Sequence, residues 1–286
     1  MSVINVFTVD VEEYFQVEAF SEYIEKSNWE KFPGRVEQTV EIILGLLSSH
    51  NVKGTFFVLG WLAERNPSLV AKIFKQGHEI ASHGFEHSMV TRMTPEEFRL
   101  DVRRAKKTLE GITHSPIKGY RAPTFSIVEK TSWAYQILLE EGYRYSSSVF
   151  PIRHDRYGWP EFGDAPRRMH VMDEKDIWEV PMSILCAGPV NIPFGGGGYL
   201  RFYPWLLTKA LFRKVSGNGK PVMVYVHPWE FDPMHPMIDA PFLRRIRHHI
   251  GISGMEQKLR FLLQYFKFGT VEQYLENIIR PESIQQ

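Results

Sequence analysis

Short apolar runs alternate with helix-patterned stretches from residue 4 to about residue 146, and this rhythm limits the chain to few folds. Ile4–Val9 (INVFTV) and Thr55–Leu59 (TFFVL) read as buried strands, as do Glu79–Ala81, Lys118–Tyr120 and Tyr143–Ser146. Between them, Val36, Val40, Ile43, Leu44 and Leu47 recur at helical spacing, and Leu62 to Phe74 is helical with a break at Pro67. Thr94-Pro95-Glu96-Glu97 supplies an N-cap, a proline at N1 and a glutamate at N3. It opens a helix expected to reach Glu110 and close at Gly111. Ser132 to Glu141 is a further helix, stopped by Gly142. A βαβα order calls for a parallel sheet with helices outside it, open or closed into a barrel. Ligand sites in such folds lie at the carboxyl ends of the strands.

The rhythm fails from about 150 to 203, where loop-rich sequence includes a run of glycines at Gly195–Gly198. Such stretches often form binding loops, and these glycines are expected to make a flexible rim over a cleft. Regular structure resumes with a helix near Trp205–Val215 and a strand at Val222–Val226 that ends on His227. A helix near Glu256–Phe266 follows, then a last strand and helix within Phe268–Glu276. The 286 residues suffice for one large α/β domain or two small ones.

Charge and composition remove several classes. Net charge is +1, so no overall field favours nucleic acid. Cys186 is the only cysteine, which excludes a disulfide framework and thiolate zinc sites. The amino-terminal residues read as a strand rather than a secretory signal, and no apolar run is long enough to span a membrane. A soluble, cytoplasmic protein is expected. The glycine run lacks the lysine and Ser/Thr of a phosphate loop.

Four clusters follow strands. Asp10-Val11-Glu12-Glu13 ends the first, and alternation along an extended chain puts Asp10 and Glu12 on one side. One carboxylate could then bind a metal while the other acts as a base. His83-Gly-Phe-Glu-His87 spaces two imidazoles to face the same way on a helical turn and share one divalent cation. Gly119-Tyr-Arg121-Ala-Pro123-Thr124 sets an arginine where it can orient a carboxylate, and His227-Pro-Trp229-Glu230 closes the late strand.

In this order the clusters resemble the polysaccharide deacetylase family, the group named for the NodB chitooligosaccharide deacetylase. Thr8-Val-Asp10-Val-Glu12 is similar to a D-x-D variant of its first motif, found in a peptidoglycan-deacetylase and allantoinase-like branch. The histidines match H-x-x-x-H, Arg121 and Pro123 match R-x-P, and His227 matches L-x-H. The resemblance covers nearly the whole chain. It implies a single domain, 1–286, with a loop-rich insertion around 150–203, folded as a distorted (β/α) barrel of about seven parallel strands.

The same resemblance implies roles. Glu12, His83 and His87 would hold a divalent ion, zinc before others. Asp10 would be the base, held by Arg121; the backbone N–H of Thr124 would help form an oxyanion hole, and His227 would protonate the leaving amine. Pro123, Ser146 and Trp229 are candidates for contact with substrate. The expected reaction is removal of N-acetyl groups from N-acetylhexosamine units of a bacterial polysaccharide or its precursor. HDRYG, HPWEFDP and FKFGTVEQY resemble a subgroup associated with exopolysaccharide loci. The partner is then an N-acetylated glycan, with self-association left open.

Two positions depart from the family pattern: Glu12 stands for the usual aspartate ligand, and Ser146 for an aspartate that orients the catalytic histidine. A hydroxyl stabilises an imidazolium less than a carboxylate does, unless another acid such as Glu230 serves. An O-acetyl esterase, an allantoinase-like cyclic amidase and a catalytically weakened glycan-binding protein are therefore the alternatives.

Overall fold

A computed structural model describes residues 3–172, 175–188 and 190–282. The strands are β1 (Ile4–Val11), β2 (Thr55–Val58), β3 (Glu79–Ser82), β4 (Gly119–Tyr120), β5 (Tyr145–Ser146), β6 (Arg167–Met172), β7 (Lys175–Glu179), β8 (Ile184–Ala187), β9 (Val190–Pro193), β10 (Met223–Val226) and β11 (Lys267–Gly269). All but β8 and β9 join one sheet in the order β10-β1-β2-β3-β4-β5-β7-β6, with β11 beside the start of β1. The seven strands from β10 to β7 are parallel to one another, and only β6 runs antiparallel.

Side-chain alternation divides the molecule into an outer and an inner layer. Phe7, Val9 and Val11 of β1, Phe56 and Val58 of β2, and Val224 and Val226 of β10 pack outward against the helices. Val6, Phe57, Ala81, Tyr145, Met223 and Tyr225 form the inner cluster, and Val271 and Leu275 of the last helix join it. This helix covers the amino-terminal end of the strands: Val271 N–H donates to Thr55 Oγ1 at 2.9 Å and Glu272 N–H to Glu79 Oε2 at 3.2 Å. Thr8, Asp10 and Glu12 continue the inward row of Val6, so polar groups collect at the carboxyl-terminal mouth.

Among the described residues no strand closes the gap between β7 and β10. The chain after β7 crosses it instead: Val180 N–H donates to Ser146 O and Met182 N–H to Val149 O, while Met223 N–H donates to Ser183 Oγ. The barrel is distorted at this seam, where irregular chain replaces part of the ladder.

Three expectations change. The helix opened by Thr94 has the full capping box, but it runs through Gly111 to Thr113 and ends at left-handed His114. No neighbour lies within 4 Å of a Cβ at Gly111, so the glycine marks an open face and not a stop. The segment 150–203 is not simply loop: it holds β6, β7, β8, β9 and the helix Gly197–Phe202. Its strands were hidden because β6 (RRMHVM), at the sheet edge, and β7 (KDIWE) beside it carry polar residues that interrupt any apolar run. The glycines are also no free rim. Gly196 bridges Tyr225 in parallel, and a Cβ there would lie 2.2 Å from Tyr225 O.

Gly196→Ala must therefore displace the strand that leads to His227. It is expected to lower stability by about 2 kcal/mol, read as a shift in the urea midpoint. Gly198→Ala, whose Cβ would have only Arg201 Nη2 at 3.9 Å, leaves the midpoint unchanged or raises it.

Candidate metal centre

The ladder that builds the sheet also fastens the site. His83 N–H donates to Val58 O at 3.0 Å, Arg121 N–H to Ser82 O at 2.9 Å and Ser147 N–H to Tyr120 O at 2.9 Å. Each residue just past a strand is thus held by the neighbouring strand, and its side chain is delivered to the mouth of the barrel.

Glu12, His83 and His87 each direct a ligand atom into one buried volume, all within 4.8 Å of one another. Glu12 Oε2 lies 2.8 Å from His87 Nε2, yet this buried oxygen forms no hydrogen bond. His83 Nδ1 sits 2.9 Å from the carbonyl of Arg121, which accepts its proton and leaves Nε2 as a lone pair facing inward. Burial lowers the pKa of His83 to about 4, so the ring is neutral, as a ligand must be. Burial pushes Glu12 up, but the opposed pull of His87 and His227 is stronger and brings it to about 2. Two imidazoles and one carboxylate converging on one point suit a divalent cation that keeps open positions.

The histidine pair does not lie on a helical turn, contrary to the expectation from its spacing. Residues 83–87 form an irregular bend with left-handed backbone at Gly84 (φ 76°) and at His87 (φ 53°). A non-glycine residue in that region marks stored strain. The spacing brings the rings together through a strand end and a bend.

Asp10 stands beside the cluster. Arg121 is wholly buried and donates through Nη1 to Asp10 Oδ1 at 2.6 Å, leaving Oδ2 free of it. His227 Nε2 lies 4.0 Å from Asp10 Oδ2 and 3.7 Å from Glu12 Oε1. Behind the ring, Glu230 Oε2 is 3.5 Å from His227 Nδ1 and also accepts the His227 backbone N–H at 2.9 Å. Burial would lower the pKa of His227, but the carboxylates of Glu12, Glu230 and Asp10 outweigh it and raise it to about 9. Arg201 lies 2.9 Å from Glu230 and, with His227, holds that acid ionised against the cost of burial.

Ser146 is not in this group. Its hydroxyl donates to Ser148 Oγ at 2.7 Å, within a buried serine turn whose N–H groups of Ser148 and Val149 donate to Glu179. The acid behind His227 is Glu230, three residues on in sequence. Trp229 is buried rather than open to a ligand: its indole N–H donates to Glu12 Oε1 at 3.1 Å and its ring stacks on His227. Pro123 is buried at the start of a tight turn, and Thr124 follows in left-handed conformation (φ 58°). Arg201 and Glu179 were not legible as site residues. Nothing in sequence ties Arg201 to a strand-end motif, and Glu179 ends β7, a strand whose polar residues conceal it.

Residues 28–145 match the family model described as polysaccharide deacetylase, and residues 147–276 match a domain of unknown function. A peptidoglycan-N-acetylglucosamine deacetylase of Bacillus cereus is 34% identical over 93 residues, 32% of this chain and 34% of that protein. A chitooligosaccharide deacetylase of Bradyrhizobium is 33% identical over 67 residues, 23% of this chain and 31% of that one. The chain thus spans about a third of the length of these curated relatives. A solved structure from Mycobacterium smegmatis, assigned as a polysaccharide deacetylase, superposes with a TM-score of 0.64 at 19% identity, over 99% of this chain and 95% of that one. At that identity the likeness concerns the fold alone.

Trp229 touches no ligand position itself but orients Glu12. Trp229→Phe keeps the ring and removes the N–H, and is expected to weaken binding of a divalent cation about tenfold, measured by competition with a chelating dye. His83→Ala should abolish binding in the same titration.

Proposed function

Because the chain belongs to the polysaccharide deacetylase family, we propose that it is a metal-dependent hydrolase that removes N-acetyl groups from N-acetylhexosamine units of a bacterial polysaccharide or its precursor. One observation carries this reading: Glu12, His83 and His87 converge on one point, with Asp10 and His227 on its border. We take the ion to be zinc, which suits two imidazoles and a carboxylate. The resemblance of HDRYG, HPWEFDP and FKFGTVEQY to an exopolysaccharide-associated subgroup supports that glycan class, and we place the reaction in the cytoplasm.

When bound, the cation acidifies a water molecule and polarises the acetyl carbonyl. Asp10 takes the proton of the attacking water at Oδ2, since Arg121 occupies Oδ1. The left-handed turn at Thr124 offers a backbone N–H for the charge that develops on the carbonyl oxygen, a kind of contact typically worth about 3 kcal/mol in the transition state. His227 carries a proton at Nε2 and passes it to the amide nitrogen as the C–N bond breaks. Acetate and a free amine leave. Glu230 holds the far side of the imidazolium, the service that the family pattern gives to an aspartate where Ser146 stands. A charged acid in that position supports an active enzyme over a weakened glycan-binding protein.

The test is acetate release from N-acetylglucosamine oligomers. Chelation should abolish it and zinc restore it; an undiminished rate in fully metal-free protein would sink the proposal. Glu230→Gln is expected to lower kcat by about 10²-fold or more, the range of general-acid contributions, whereas Ser146→Ala changes it little. The opposite ranking would return the orienting role to Ser146. Release of acetate from O-acetylated sugars with no new amine would identify an esterase instead.

A further inference from the structure

The helix Phe242–His249 (FLRRIRHH) is turned inside out. At about 100° per residue, Phe242, Leu243 and Ile246 share one face, and His248 falls on the opposite side. It is His248 that packs inward, stacked on Trp229 with ring centroids 4.1 Å apart and edge-on to Phe20 at 4.9 Å. Phe242 and Leu243 are 65% and 79% exposed, and Ile246 and the following Ile250 are exposed too. Leucine and phenylalanine are ordinarily the residues buried on such a helix, and histidine the one left in water.

The exposed apolar surface extends past this helix. Met234 and Met237 are 79% and 67% exposed, in a loop whose His235 lies against His248 and His249. Exposed Phe202 follows Arg201, which donates to the carbonyl of His248 and lies against Gly251. The surface is also basic. From Ala240 to Met255 there is no aspartate or glutamate, while Arg244, Arg245 and Arg247 lie within it. Arg244 is paired with Glu22, but Arg247 is exposed and forms no ion pair among the described residues.

We infer that this face docks on an anionic lipid surface, with Phe242, Leu243, Ile246 and the two methionines entering the interface and Arg247 meeting the headgroups. An apolar stripe flanked by arginines is the pattern of a helix that lies in a membrane interface rather than across it. Charge decides against a second copy of the chain as the cover. Two such faces brought together by a two-fold axis would add one unpaired Arg247 to another, the nearby acid Glu22 being already taken by Arg244. The inward side of the helix reaches the metal donors through two rings, His248 on Trp229 and Trp229 on Glu12, so docking sets the mouth of the barrel beside the lipid surface. This inference stands on the exposed apolar face and does not require the deacetylase reading.

The test is co-sedimentation of the full chain with vesicles of phosphatidylglycerol or of phosphatidylcholine. Binding is expected to phosphatidylglycerol, weaker to phosphatidylcholine, and to decline as salt is raised. A Leu243→Glu/Ile246→Glu variant should reduce the bound fraction about tenfold or more, with thermal midpoint and metal content unchanged, and Arg247→Glu should reduce it on phosphatidylglycerol. No binding to phosphatidylglycerol at low salt overturns the proposal, as does binding that survives the double substitution. A dimer in light scattering that Leu243→Glu dissolves, without lipid binding, assigns the face to self-association and overturns it equally. Loss of acetate release from soluble oligomers is a separate outcome, because none of these side chains borders the metal centre.

Discussion

The buried guanidinium of Arg121 is the interaction on which the rest of the mouth depends. Nε donates to Ser147 O at 3.1 Å, Nη1 to Asp10 Oδ1 and Thr8 Oγ1, and Nη2 to Ser147 Oγ and Met223 S, with Phe57 beneath the plane at 4.0 Å. Those partners come from β1, β2, β10 and the turn after β5, so one side chain from the end of β4 reaches across the barrel interior to the opposite strands. A charge so placed is tolerated because its hydrogens are satisfied, and breaking a pair of this kind typically costs about 3–5 kcal/mol. The carbonyl of the same residue fixes the tautomer of His83. One arginine therefore orients both an acid and an imidazole.

Charge around this centre is close to balance but does not reach it without help. Asp10, Glu12 and Glu230 are buried carboxylates, faced by the buried guanidinium groups of Arg121 and Arg201. The remaining negative charge is met by an imidazolium at His227 or by a bound cation, which is why the region is suited to both. The stacked rings of His227, Trp229 and His248 keep water from this group of charges on one side. With less water to screen them, the contacts are stronger than the same contacts at the surface.

Much of this was legible in sequence, for reasons that differ by element. The strands β1, β2 and β10 are buried on both faces, so uninterrupted apolar runs announced them, and the residues beyond their ends could be read as a group. The capping box at Thr94 was equally explicit because its signal is local. The pair β6 and β7 at the end of the sheet was missed since both carry polar side chains that break an apolar run, and with it went Glu179. Spacing alone could not show that His83 and His87 meet through a left-handed bend and not a helix, nor that Ser146 turns toward Ser148 while Glu230 faces His227. Those outcomes turn on backbone conformation between residues only two to four apart, which spacing does not fix. The helix Phe242–His249 escaped notice because its apolar residues answer to the outside of the molecule.

The pairing of β1 bears on how the chain reaches this structure. One flank of β1 is taken by β2, some fifty residues later, but the other waits for β10, with Val6 opposite Met223 and Thr8 opposite Tyr225. During synthesis the first strand must therefore stay half-paired until the last quarter of the polypeptide has left the ribosome. Closing so long a loop is an entropic barrier that slows folding. Over that interval an apolar strand edge is open to the wrong neighbours. A protein of this topology gains from a holding chaperone in the cell, and in the test tube refolds best when dilute and cool.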